Sequence, residues 1–241
     1  MKNEKFTYAG EDLEAMSHAY KYREWVLSKI EPVIGDHVVE VGGGIGDFSE
    51  MFLHRSIKSL TIVEPSEDMC GKLNARLTGY DNVKINIING FFGDNLSNLP
   101  KQTDTVLYIN TLEHIEDYQA EINYMHKALL PGGHIGIFVP ALSWLYGNFD
   151  KEVGHYRRFN KRELDEVVKR SGFTIIKSYY MDCLGVPLWW LQYRLLKRKD
   201  LKSYQVILYD KLFVPVNRFL ENIITPPFGK NLLLLAKKNK D

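Results

Sequence analysis

Three features of this 241-residue sequence predict an α/β fold, doubly wound around a mostly parallel seven-stranded sheet. Short β-branched runs alternate with helical stretches, a glycine cluster directly follows the first run, and an acidic residue closes the second. Nearly continuous apolar strands separated by helices mark a parallel sheet covered on both faces.

Taken in order, residues 12–30 read as a helix. Met16, Ala19, Tyr20, Trp25 and Ile30 stand near helical spacing, and Pro32 and Gly35 close it. The strand HVVEV (37–41) precedes a helix from Asp47 to Leu53, the strand SLTIVE (59–64) and a helix over 66–77. Then come VKINII (83–88), DTVLYIN (104–110), a helix around 117–130 and GHIGIFV (133–139). Asn160 and Glu163 make a capping-box pattern for a helix across 159–173, with Leu164, Val167, Val168 and Ser171 on one face. FTIIKSYY (173–180) and LLLLAKK (232–238) are the last strands, separated by a segment longer than a hairpin needs. One domain is expected: an N-terminal helical cap over 1–35, a cofactor-binding core over 36–180, a lid-like insertion over 181–230, and a last strand and tail over 231–241.

The 31 basic and 30 acidic residues nearly cancel, which gives no electrostatic reason to expect nucleic-acid binding. Cys70 and Cys183 stand far apart and outside any ligand-spaced cluster, so neither a disulfide framework nor a metal site is expected, and a reducing cytoplasm fits. The opening residues have no apolar core of the signal-peptide kind, and no run is long and apolar enough to span a membrane.

The glycine cluster lies in VVEVGGGIGDF, residues 38–48. Glycine in a regular element costs about 0.5–1 kcal/mol against alanine, so such a cluster needs either a tight turn or a ligand that approaches the backbone closely. Gly42, Gly44 and Gly46, with Gly43 between, follow Glu40 and precede a helix, and Glu64 ends the next strand, placed to accept the hydroxyls of a ribose. Asp47 stands where a dinucleotide fingerprint wants its third glycine, which argues against a nicotinamide ligand.

The stretches VVEVGGGIGDFS, LTIVEPS, TDTVLYINTLEHIED, LLPGGHIGIFVPAL and GHYRRFNKRELDEVVKRSGF together resemble a class I S-adenosylmethionine-dependent methyltransferase. The resemblance is to the bacterial group associated with family-2 glycosyltransferases, and it runs from about residue 20 to residue 238. It implies a Rossmann-like methyltransferase fold with an antiparallel last strand, S-adenosyl-L-methionine as cofactor and S-adenosyl-L-homocysteine as product. It further implies that Glu40 and the glycines line the methionine end, that Glu64 and the adjoining Pro65 serve the ribose, and that Asn110 lies under the methionine moiety. The acid that many relatives carry after the third strand to bind adenine is missing from INGFFGD, leaving Asn89, Phe91 or Asp94 for that role. Phe92 is either an adenine-packing ring or core.

On the acceptor side, His155 and His114 are the candidate bases, because a histidine titrates near neutrality. For His114 the alternative is a ring that fixes its loop. The stretch YGNFDKEVGHYRRF (146–159) gathers Asp150, His155, Tyr156, Arg157 and Arg158, a set suited to an acceptor bearing phosphate or carboxylate. Those arginines could equally pair with the domain's own acids. Trp144 and Tyr146 either line an acceptor pocket or close the core.

In VPLWWLQYRLLKRKDLK (186–202) an aromatic surface adjoins a basic one, as in a lid helix or a peripheral membrane contact. The expected reaction is O-methylation of a sugar, glycan or lipid-linked glycan intermediate. Its partners would be that small-molecule or lipid-linked acceptor and a glycosyltransferase, with the protein cytoplasmic or peripheral on the inner membrane face. Carbon or nitrogen methylation of a quinone or amine, and a non-catalytic cofactor-binding partner of a glycosyltransferase, are the alternatives.

Overall fold

The computed structural model describes residues 12–240. Residues 1–11 of the expected N-terminal cap, and residue 241 of the expected tail, lie outside the described residues.

The seven strands are β1 (His37–Val41), β2 (Ser59–Glu64), β3 (Lys84–Asn89), β4 (Thr105–Ile109), β5 (His134–Pro140), β6 (Phe173–Met181) and β7 (Asn231–Lys238). They form one sheet in the order β3-β2-β1-β4-β5-β7-β6. The strands from β1 to β5 pair in parallel, and β7 runs antiparallel to both its neighbours, as expected. The inner strands β1, β2, β4, β5 and β7 are buried almost throughout, whereas the edge strands β3 and β6 alternate with exposed positions.

Period two then sorts the strand side chains into two cores. On one face, Val38, Ile62, Leu107 and Phe138 pack with α2 (Tyr20–Ile30), α3 (Asp47–Leu53) and α4 (Glu67–Leu77). On the other, Val39, Val106, Tyr108 and Ile137 pack with α5 (Tyr118–Ala128) and α7 (Lys161–Arg170).

Two local expectations need correction. The helix expected over 12–30 is two helices, α1 (Asp12–Met16) and α2. The Arg23 guanidinium of α2 reaches back to take the carbonyls of Met16 and Ser17 at 2.6 and 2.9 Å, so α1 ends on a partner inside α2 and the chain turns. The capping box at α7 does not form. Asn160 makes no side-chain cap bond, Glu163 instead accepts from the Tyr118 hydroxyl at 2.9 Å, and the Lys161 N–H donates to the Tyr180 hydroxyl.

Between β6 and β7 the chain is helical. α8 (Gly185–Trp189) continues into a π-helical turn at Trp190–Leu195, and α9 (Ser203–Leu208), a π-helical stretch at Tyr209–Phe213 and α10 (Val214–Ile223) follow end to end. Pro215 explains the second π-helical stretch. It has no N–H, and its ring crowds the preceding turn, so the helix widens just before it. A buried Asp182 secures the insertion by accepting from Tyr209 and Asn217 and pairing with Lys230 at 3.0 Å. Among the described residues, no helix is long and apolar enough to cross a membrane.

Candidate active site

The chain order reverses between the neighbouring strands β1 and β4, so the loops leaving their carboxyl ends part and open a crevice. Close packing within the chain and a tight turn both require the glycines there. A Cβ on Gly42 would stand 2.5 Å from the Thr111 side chain, and one on Gly43 would stand 2.4 Å from Ile62 Cγ2, so close packing excludes any larger residue. Gly44 and Gly46 have φ of 55° and 86°, in the left-handed region that side chains disfavour.

Glu64 ties this loop to the sheet. Its Oε2 accepts the Gly44 N–H at 3.0 Å and its Oε1 accepts the Ser66 N–H at 2.9 Å. Burial raises its pKa above the ordinary carboxylate value, and the two amides partly offset that. The Asn89 amide donates to the carbonyls of Glu64 and Pro65, both at 3.1 Å, and so stitches the end of β3 to the turn after β2. Glu64, Pro65 and Asn89 lie behind the glycine loop and do not line the crevice, whereas Glu40, Gly42, Gly43, Gly44 and Asn110 do. Asn110 itself has φ of 51°, a strained conformation for a residue with a side chain.

Glu40 sits buried at the floor, accepting from the Ser49 hydroxyl. Burial pushes its pKa to about 8, against the Ser49 bond and with the help of Glu64 and Asp47 nearby. Asp47 is gripped from both sides, by Arg76 at 2.7 Å and Arg23 at 3.3 Å.

The other wall carries a chain of ionisable groups. Loop 141–158 includes the short helix α6 (Asn148–Glu152), which buries Asp150 completely. Asp150 Oδ1 accepts from Arg158 Nε at 2.8 Å and meets His155 Nδ1 at 3.0 Å, while its Oδ2 accepts the Gly147 N–H at 2.9 Å. Burial alone would raise the Asp150 pKa, but His155 and Arg158 more than offset it and hold the carboxyl below the usual range. A carboxylate only accepts, so Nδ1 of His155 carries the hydrogen in this pair, and Nε2 is the nitrogen left to exchange a proton. That Nε2 lies 3.9 Å from Glu113 Oε1.

Glu113 is fully buried, with no hydrogen-bond partner for either side-chain oxygen among the described residues. Burial pushes its pKa to about 7 despite the pull of His155 and Arg158. His114 stacks edge-on against His155, ring centroids 4.6 Å apart, and burial together with His155 pushes its pKa down to about 3, so it stays neutral. The potential ligand atoms of Glu113, His114 and His155 all lie within 4.8 Å of one another.

The candidate bases His114 and His155 line the crevice, and of Trp144, Tyr146, Tyr156, Arg157 and Arg158 only Arg158 does, its guanidinium 4.6 Å above the Trp189 ring. Arg157 turns away, stacking on Tyr118 and donating to the Glu116 carbonyl at 2.7 Å. Tyr146 donates to the His155 carbonyl at 2.7 Å and so braces the loop from behind. Trp144 and Tyr156 point outward, each more than half exposed. Phe92 belongs to the core, edge-on to Tyr108, which removes it as an adenine-packing ring. Phe91 is exposed, and Asp94 begins the helical turn over Gly93–Asn98.

Sequence reasoning passed over Glu113 and Lys230 and gave Trp189 only to the aromatic surface of 186–202, yet all three line the crevice. The one available signal for Glu113 was an acid directly before a histidine, just past a strand at the carboxyl edge.

Residues 16–178 match the family described as methyltransferase domain. The chain belongs to that family. The methyltransferase is 30% identical over 117 residues to the ubiquinone biosynthesis O-methyltransferase of Vibrio atlanticus, a match taking in 46% of each protein, so it spans about half the length of that curated relative. Its fold is shared with an S-adenosylmethionine-dependent methyltransferase from Archaeoglobus fulgidus (TM-score 0.61, 19% identity, 95% of this chain and 100% of that one). It is shared too with a Haemonchus contortus phosphoethanolamine N-methyltransferase in complex with S-adenosylhomocysteine (TM-score 0.63, 15% identity, 96% and 58%).

The residues present fit S-adenosylmethionine, the cofactor of these methyltransferases. The glycine loop gives the close approach, and the carboxyl group of Glu40 would hold an ammonium, whereas Glu64, with each oxygen on a backbone N–H, shapes the loop from behind instead of facing the crevice as the ribose acceptor expected from the sequence. Among the described residues buried Glu40 has no cationic counterpart, which the amino group of the methionine moiety would supply.

Proposed function

We propose that this methyltransferase methylates a hydroxyl oxygen of a small-molecule acceptor, a sugar of a lipid-linked glycan intermediate. The single observation that supports oxygen as the target is His155, hydrogen-bonded to buried Asp150 and lining the same crevice as Glu40 and Asn110. When bound, S-adenosylmethionine supplies an electrophilic sulfonium methyl. His155 Nε2 would take the acceptor's hydroxyl proton, and Asp150 holds the ring in the receptive tautomer and would stabilise the imidazolium. Glu113, too far from Nε2 for a direct bond, is left to accept from a second hydroxyl of the acceptor. Arg158, Trp189 and Lys230 form an aromatic and cationic wall suited to a ring bearing polar groups.

A ring hydroxyl of a quinone-type lipid is a second reading, favoured by the likeness to the Vibrio ubiquinone biosynthesis O-methyltransferase. One experiment separates them. The enzyme is incubated with native extract and methyl-labelled S-adenosylmethionine, and the products are split into glycan, lipid, protein and small-metabolite fractions. Acid hydrolysis releasing labelled O-methyl sugar supports the first reading. Label that stays in an apolar aromatic ether supports the second, and label on nitrogen overturns both.

A further inference from the structure

The end-to-end helices α9 and α10 bury one face and leave another uncovered. Val206, Asp210, Val214 and Asn217 face the domain. Leu208, Leu212, Val216, Phe219 and Ile223 recur at helical spacing on the outside, each at least half exposed. Trp190, Leu195 and Leu196, from the turn after α8, are exposed in the same insertion. Monomeric proteins seldom leave so long an apolar stripe in water without a use for it.

Charge decides the occupant. Lys197, Arg198, Lys211 and Arg218 accompany the stripe and form no ion pair among the described residues. The acids of the segment are neutralised or turned inward. Asp210 caps α2 by accepting the N–H groups of Lys21 and Tyr22, Glu221 accepts the Cys183 N–H at 2.9 Å, and exposed Asp200 lies 3.8 Å from Lys202. In a chain whose formal charge is only +1, this concentrates apolar surface and positive charge in one segment. An exposed apolar stripe bordered by unpaired basic side chains is the combination that an anionic bilayer surface binds.

We infer that the outer face of α9 and α10 docks on the surface of an anionic phospholipid membrane, lying in the interface without crossing it. The expected contact through 186–202 is thereby extended to a stripe running to Ile223. Trp189 and Leu201 of the same insertion line the crevice, so an acceptor anchored in the bilayer would enter the site beside the docked face.

Co-sedimentation of the full chain with vesicles tests this without reading methyl transfer, so its failure is separate from failure of the proposed reaction. The vesicles are phosphatidylcholine alone or phosphatidylcholine with about one third phosphatidylglycerol. The protein should pellet with the anionic vesicles and stay in solution with the neutral ones. Phe219→Asp with Ile223→Asp should cut the bound fraction by about tenfold or more. Both side chains are about two thirds exposed, so the fold does not depend on them. Lys197→Glu with Arg198→Glu should weaken binding through charge alone. No pelleting with anionic vesicles overturns the inference. So does a lipid-free dimer that Phe219→Asp dissociates, since the face would then belong to a second copy.

Discussion

His155 and Asp150 form a hydrogen-bonded pair, Nδ1 to Oδ1 at 3.0 Å, in which the carboxylate is fully buried and the far ring nitrogen faces the crevice. His155→Ala should therefore slow transfer into the extract fraction that the wild type labels by about 10²–10⁴-fold, the range for loss of a general base. S-adenosylhomocysteine affinity by calorimetry should change little. Turnover within a few-fold of wild type would remove His155 as the base.

Arg158 meets the same carboxylate in a site where both partners are buried. Breaking such a pair leaves an uncompensated charge, so Arg158→Met should lower unfolding stability by about 3–5 kcal/mol in urea melts. Asp150→Leu combined with Arg158→Met should lose less than the sum of the single changes, because no lone charge then stays behind. Additive losses would mean that the two residues act independently.

The strands could be read from the sequence because β-branched runs such as HVVEV and SLTIVE carry their own signal, and these two coincide with β1 and β2 at both ends. The break between α1 and α2 could not, since its cause is a guanidinium reaching back from Arg23. The same holds in the site. The glycines and Glu64 follow a spacing, whereas Glu113 acquires its chemistry only when the turn at Leu112–His114 buries it opposite His155. Arg157 and Arg158 are adjacent in sequence and point to opposite sides of the loop, a difference no composition argument can resolve. The outer stripe of α9 and α10 keeps helical spacing in the sequence, but only the packing of Val206, Asp210, Val214 and Asn217 against the domain decides that it faces outward.

Glu64 braces the Gly44 and Ser66 amides and so holds the glycine loop in the shape that receives the cofactor. Hydrogen bonds to a charged group contribute about 1.5–3 kcal/mol each, so Glu64→Ala should weaken S-adenosylhomocysteine binding by at least about tenfold. Titration calorimetry reads this directly, with circular dichroism to check the fold. Unchanged affinity would sink the assignment.

Glu40 gives a dependence on pH whose sign can be worked out. Its pKa is about 8 in the folded chain against an ordinary carboxylate value of 4.5, so the folded state holds the proton more tightly than the unfolded one. Relative to Glu40→Gln, the unliganded protein should thus lose stability as pH rises from about 4.5 to about 8, because the unfolded chain ionises first. Ligand binding runs the other way. An ammonium placed against Glu40 needs the anion, so the wild type should bind S-adenosylhomocysteine more tightly with rising pH, by up to about tenfold per unit below pH 8, and should release a proton as it binds. Calorimetry in two buffers of different ionisation enthalpy counts that proton, and Glu40→Gln should release none through this site. A wild-type affinity that stays flat from about pH 6 to 8 would show that Glu40 does not ionise against the ligand, and the ammonium would then need another partner at the floor of the crevice.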